Sequence, residues 1–178
     1  MKKTLVIHVV STEDTKFLSR VYDGLSYDCM FNPTRNVVDC MLKYGGYERF
    51  ILLGHGDRCG LYDSTMSYYL IDSSNVYLLD GKEIVGVWCY AAEFADLNKL
   101  KGFFTSMFIS NFSEAEMMGF HDTLPSSVAS ENEAFADGLR WLLVEDIPLR
   151  EFPVRLQEAC HAEVPFVRFN YEAMCYYD

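Results

Sequence analysis

The sequence lacks any long hydrophobic run. Its most apolar stretches, such as Ile84–Trp88 and Leu139–Val144, are far shorter than the roughly 20 residues that a membrane-spanning helix needs. Basic residues are also scarce, with 15 Lys and Arg against 26 Asp and Glu and a net charge of −11. A field of this sign repels nucleic-acid phosphates and anionic lipid, and no basic patch is visible along the chain to reverse it. We therefore expect neither nucleic acid nor membrane as a partner.

Several signatures of catalysis and metal binding are missing as well. No G-x-S-x-G nucleophile elbow occurs, which excludes the usual serine hydrolase. The cysteines include no CxxC pair, and His55-x-x-x-Cys59 has no second ligand pair at zinc-like spacing. A metal site would have to draw on scattered candidates, which are His55, Cys59, His121, Cys160 and His161.

The N-terminal segment does not resemble a signal peptide. Its apolar stretch is interrupted by His8 and runs directly into Ser11-Thr12-Glu13-Asp14, with no small-residue cleavage site. We therefore expect a cytoplasmic protein with reduced thiols.

The composition is that of one folded domain. Half of the 178 residues are hydrophobic, and 13 Phe, 12 Tyr and 2 Trp provide large apolar side chains. A chain of this length buries a full core, and no repeat or linker composition divides it. We expect a single domain over residues 1–178.

Three short apolar runs, 5–10, 49–53 and 84–88, predict buried strands. The second and third lack polar alternation, as is typical of strands covered on both faces in a parallel sheet. His8 in the first run is expected to be a core histidine. A fourth strand is predicted over Phe103–Ile109. Together with helical patterns between the strands, these runs predict an α/β domain with a mostly parallel sheet.

Capping boxes predict two helix starts, one at Ser113 with Glu116 and one at Ser130 with Glu133. The second helix should run to about Glu145. The tail from Pro165 to Asp178 is aromatic without clear periodicity.

Reactive residues follow two of the predicted strands. The second strand ends in Gly54-His55-Gly56-Asp57, and the third ends in Trp88-Cys89-Tyr90-Ala91. Ligands of open α/β sheets bind outside the carboxyl ends of the strands, so neighbouring strands would bring His55 and Cys89 together. An imidazole that takes the thiol proton and a thiolate that attacks a carbonyl form a minimal nucleophilic pair.

The glycine and the acid beside His55 are further candidates. The backbone N–H groups of Gly56 and Cys89 are candidates for an oxyanion hole. Asp57 is a candidate for orienting substrate, although Asp is also a common turn residue.

A strand ending in His-Gly, followed about 35 residues later by a hydrophobic strand ending in Cys, resembles the caspase, gingipain and legumain superfamily of cysteine peptidases. Gly54-His55-Gly56 is similar to the His block of the gingipain-type members. The resemblance covers roughly Leu5 to Ile109. It implies a caspase-like fold, a three-layer α/β/α sandwich, with His55 as base and Cys89 as nucleophile acting on a peptide or protein without a cofactor.

Two other interpretations stay open. A catalytically silent caspase-like module could bind a protein or small molecule, with Trp88 and Tyr90 filling the cleft. A nucleotide-binding domain is suggested by Gly54-x-Gly56-x-x-x-Gly60, although this motif is one residue too long and no convincing helix follows it.

Overall fold

The computed structural model describes residues 2–178. At its centre lies a sheet of six strands in the order β2-β1-β3-β7-β8-β9, in which β1, β2, β3, β7 and β8 are parallel and β9 is antiparallel to β8. The predicted α/β class with a mostly parallel sheet is confirmed. The strands are β1 (Thr4–His8), β2 (Asp28–Phe31), β3 (Arg49–Leu53), β7 (Glu83–Val87), β8 (Gly102–Phe104) and β9 (Cys175–Tyr177).

Helices cover both faces of this sheet, which gives three layers. The α-helices are α1 (Arg35–Tyr44), α2 (Ala91–Asn98), α3 (Phe112–Met117), α4 (Pro125–Val144), α5 (Phe152–Ala159) and α6 (Pro165–Glu172). Short 3₁₀ helices occupy Glu13–Val21, Val76–Leu79 and Leu149–Glu151. None of the helices in residues 2–178 is long and apolar enough to cross a membrane.

Each central strand supplies side chains to two separate cores, because successive residues of a strand point to opposite faces. Ile51 and Val85 pack on the face covered by α4, α5 and α6. Phe50 and Ile84 pack on the face covered by α1 and α2. This double burial explains why the strand runs contain no polar alternation.

A second, small sheet follows β3 directly. It is antiparallel and consists of β4 (Gly56–Asp57), β5 (Gly60–Tyr62) and β6 (Tyr69–Asp72). The motif Gly54-x-Gly56-x-x-x-Gly60 therefore runs through a hairpin and opens no helix, so it offers no helix N-terminus to a pyrophosphate.

Both predicted helix starts were wrong. Helix α3 is capped by Asn111, whose side chain accepts from the Glu114 N–H while the Glu114 carboxylate accepts from the Asn111 N–H. This real capping box lies two residues before Ser113. Helix α4 begins at Pro125, five residues before Ser130, because proline in the first turn needs no acceptor for an N–H.

Two other expectations also differ from the structure. The fourth central strand ends at Phe104 instead of Ile109, and the chain from residue 105 to residue 111 is irregular. The tail, which showed no periodicity, forms α6 and the edge strand β9.

His8 is a core histidine, as predicted, with 1% of its surface exposed. Its Nε2 lies 3.0 Å from the Thr15 carbonyl oxygen and must donate to it, so Nδ1 accepts from the Tyr22 hydroxyl at 2.8 Å. Burial lowers the pKa of His8, and the hydrogen bond to Thr15 offsets this only in part. The fold therefore holds a neutral imidazole.

We predict that stability falls as the pH is lowered from about 7 to about 5. In this range the unfolded His8 takes up a proton that the folded form resists, with a slope of at most about 1.4 kcal/mol per pH unit. Denaturant unfolding of the His8→Gln variant should lack this slope, whereas His121→Gln, at an exposed position, should keep it. An unchanged pH dependence in His8→Gln would contradict the assignment.

Candidate functional site

His55 and Cys89 emerge at the same edge of the central sheet. Strands β3 and β7 are adjacent and parallel, with Leu53 paired to Val87, and the Gly54 N–H donates to the Val87 carbonyl at 3.1 Å. The expectation that these two strands are neighbours is confirmed. Both residues line one small cleft of about 20 Å³, which has room for about one water molecule.

The His55 ring is oriented by a residue that the sequence analysis did not identify. Its Nε2 lies 2.7 Å from the hydroxyl oxygen of Thr12, which belongs to the loop after β1. When Nε2 carries the proton and donates it to Thr12, the lone pair lies on Nδ1. Within residues 2–178, Nδ1 has no hydrogen-bond partner, so it is the nitrogen free to act as a base.

A usable signal for Thr12 was present in the sequence. Strand β1 lies directly beside β3 in the sheet. Ser11-Thr12 follow the first strand and therefore lie at the same edge, where parallel sheets bind their ligands.

The Cys89 thiol is protonated at neutral pH. Burial raises its pKa to about 11, and the carboxylates of Glu114 and Glu93 add to the effect. The thiol donates to the Phe108 carbonyl oxygen at 3.6 Å. No hydrogen bond joins Sγ to the His55 ring in the described part of the chain, so the two groups share a cleft while each is bonded elsewhere.

The backbone turns sharply just after Cys89. Tyr90 has φ 66° and ψ 25°, a left-handed conformation that is uncommon for a residue with a side chain. Such strain costs on the order of 1–3 kcal/mol and is often found at functional sites. The turn leaves the Cys89 N–H without a protein acceptor among the described residues, so this amide is free to bind an oxyanion.

Gly56 lies outside the His55–Cys89 cleft. The Tyr62 N–H donates to the His55 carbonyl at 2.9 Å, which makes Gly56 and Leu61 the adjacent non-hydrogen-bonded pair. The Gly56 N–H therefore points away from β5. A side chain at this position would overlap the Trp88 ring, so glycine is also needed for the close packing of Trp88 against the hairpin. Its role in an oxyanion hole stays a prediction.

Asp57 is occupied by the hairpin. Its carboxylate accepts from the Cys59 N–H at 2.7 Å and from the hydroxyls of Tyr62 at 2.8 Å and Tyr69 at 2.9 Å. Burial alone would raise the pKa of Asp57, but these hydrogen bonds outweigh it and hold the pKa below its usual range. These hydrogen bonds are those of a residue that stabilises its own turn. A substrate-orienting role for Asp57 stays a prediction.

The aromatic residues beside Cys89 lie in different surroundings. Trp88 is 2% exposed, and its indole N–H donates to the Asp57 carbonyl at 3.2 Å. It contributes to the wall of the cleft, whereas Tyr90 does not line the cleft and lies partly exposed.

The scattered candidates for a metal site are not assembled. In the part of the chain that the structure describes, no group of three or more His, Cys, Asp or Glu side chains is arranged to hold a metal ion.

The chain matches no protein-family model and no curated protein. The functional assignment therefore rests on the residues and geometry of this molecule.

We predict that iodoacetamide modifies Cys89 more slowly than the exposed Cys40 at neutral pH. A thiol pKa of about 11 leaves a thiolate fraction about 100-fold below that of an ordinary cysteine, and burial slows access further. Mass spectrometry of tryptic peptides at several reaction times measures both rates. Faster modification of Cys89 than of Cys40 would show that the resting thiol is already activated.

Proposed function

We propose that this protein is a cysteine hydrolase of peptide amide bonds with a caspase-like fold. His55 is the general base and Cys89 is the nucleophile. The observation that carries the proposal is that both residues line one cleft at the carboxyl ends of two adjacent parallel strands. Sites of this kind are where α/β folds place their chemistry.

The reaction begins with transfer of the Cys89 thiol proton to Nδ1 of His55. The thiolate attacks the carbonyl carbon of the substrate amide, and the Cys89 N–H donates to the resulting oxyanion. His55 then returns the proton to the amine nitrogen as the C–N bond breaks, which leaves a thioester on Cys89. Water gives a proton to His55 and attacks the thioester, which releases the carboxylic acid and restores the thiol.

Substrate binding has to activate the thiol in this scheme. In the resting site the thiol is neutral because burial raises its pKa. When a substrate carbonyl lies above Cys89, His55 accepts the thiol proton. The resulting imidazolium then stabilises the thiolate as an ion pair. Catalytic hydrogen bonds that are long or absent in a free enzyme commonly form only in the complex.

A groove beside the cleft indicates that the substrate is selected through a positively charged side chain. The groove has a volume of about 280 Å³, and it shares Asp14, Phe17 and Ser110 with the cleft. The carboxylates of Glu13 and Glu133 also line it. Such a lining favours Lys or Arg of a substrate and disfavours acidic side chains.

A catalytically silent binding module is the second candidate. The raised pKa of Cys89 favours it, because a neutral, buried thiol also fits a cysteine that only fills space. The two functions differ in whether the bound peptide is cleaved.

We predict hydrolysis of fluorogenic peptide amides that carry Lys or Arg before the scissile bond, with little turnover of matched Asp peptides. Cys89→Ala should abolish turnover, and His55→Ala should lower kcat about 10²–10⁴-fold. Cys40→Ala, at an exposed site, should retain full activity. Absence of cleavage, together with binding of the same peptides by fluorescence anisotropy, would establish the silent module instead.

We further predict that Thr12 acts as a positioning residue for His55. Thr12→Val removes the hydroxyl bonded to Nε2, so the ring loses its orientation and preferred tautomer. We expect kcat to fall about tenfold with little change in KM, and the acidic limb of the pH–rate profile to shift. Thr12→Ser should restore both. An identical pH–rate profile for Thr12→Val and the unmodified protein would exclude this role.

A further inference from the structure

A second, larger cavity lies at the opposite edge of the central sheet. Its volume is about 440 Å³, within the range of small-molecule sites. Arg49, Glu83 and Gly102, the first residues of β3, β7 and β8, line one side of it. The segment 146–150 and Tyr176 of β9 line the other side.

Basic side chains converge on this cavity although the chain is acidic overall. Of the 15 Lys and Arg in a sequence of net charge −11, five line the cavity. Acidic side chains are fewer, and they are Glu83, Asp146 and Asp178. No basic patch was visible in the sequence because these positions are far apart along it. The five basic residues are Lys2, Arg49, Lys82, Lys101 and Arg150.

Arg49 forms a fixed part of the cavity wall. It is 5% exposed, and Glu83 accepts hydrogen bonds from its Nε at 3.1 Å and its Nη2 at 3.0 Å. Lys2 also pairs with Glu83. Burial would raise the pKa of Glu83, but its bonds to Lys2 and Arg49 outweigh burial and keep the carboxylate charged.

Three of the cations have no carboxylate partner. Lys82, Lys101 and Arg150 form no ion pair in the part of the chain covered by the structure. The Asp178 carboxylate accepts from the Tyr176 hydroxyl at 3.0 Å. The cavity therefore holds unneutralised positive charge on its rim and a fixed guanidinium in its wall.

We propose that this cavity binds a small molecule that carries a diphosphate group. Several lysine and arginine side chains around one concavity match the multiple charged oxygens of a diphosphate. A monovalent anion would contact fewer of these cations. The volume of about 440 Å³ suits a small ligand. The site is independent of the proposed hydrolase site, since strands of five residues separate the two edges by about 16 Å.

Inorganic pyrophosphate is the probe for this site, and isothermal titration calorimetry of the full chain is the measurement. We expect saturable binding with one site per chain. Inorganic phosphate should bind at least about tenfold more weakly, because it reaches fewer of the cations at once. Equal affinity for the two anions would overturn the diphosphate assignment.

Single charge-removing variants locate the site. Lys101→Gln and Arg150→Gln should each weaken pyrophosphate binding about tenfold. Lys43→Gln, which removes the same charge from an exposed residue outside this cavity, should leave the affinity unchanged. Circular dichroism and thermal unfolding check that each variant is folded. No saturable binding up to about 10 mM pyrophosphate, or an equal loss in Lys43→Gln, would overturn the proposal.

Discussion

The parallel pairing of β3 with β7 is the constraint on which the rest of the structure depends. Both strands are buried on both faces, so their register cannot slip without exposing one of two cores. This register places His55 and Cys89 just beyond the same end of the pair. At the other end it sets Arg49 opposite Glu83. One strand pair thus organises the cleft that His55 and Cys89 line at one edge and a positively charged cavity at the opposite edge.

The sequence predicted these strands well because their pattern has a direct physical cause. Runs without polar residues occur where a strand is covered on both sides, and the rule for parallel sheets then places the ends of neighbouring strands together. Helix starts were predicted less well. Ser113 with Glu116 has the same spacing as Asn111 with Glu114, and spacing alone does not show which pair completes the reciprocal bonds. The basic cavity could not be predicted, because its residues come together only through the fold.

The chemistry of the cleft depends on a balance between desolvation and charge. Burial keeps the Cys89 thiol neutral, and nearby carboxylates reinforce this. The free Cys89 amide and the left-handed Tyr90 beside it are features that a merely space-filling cysteine does not need. These features agree with the proposed mechanism, in which Cys89 would become charged only when a substrate is bound. Such a resting state would limit reaction with other electrophiles in the surroundings.

The hydrogen bond from the Trp88 indole to the Asp57 carbonyl has a mechanical consequence. It joins the segment that carries Cys89 to the hairpin that follows His55, so displacement of either segment would strain this bond. The loop containing Phe108 lines the cleft, and the neighbouring Ile109 exchanges two hydrogen bonds with Asn170 of α6. A displacement of α6 would therefore shift the carbonyl to which the Cys89 thiol donates, which couples the sulfur to a helix outside the cleft.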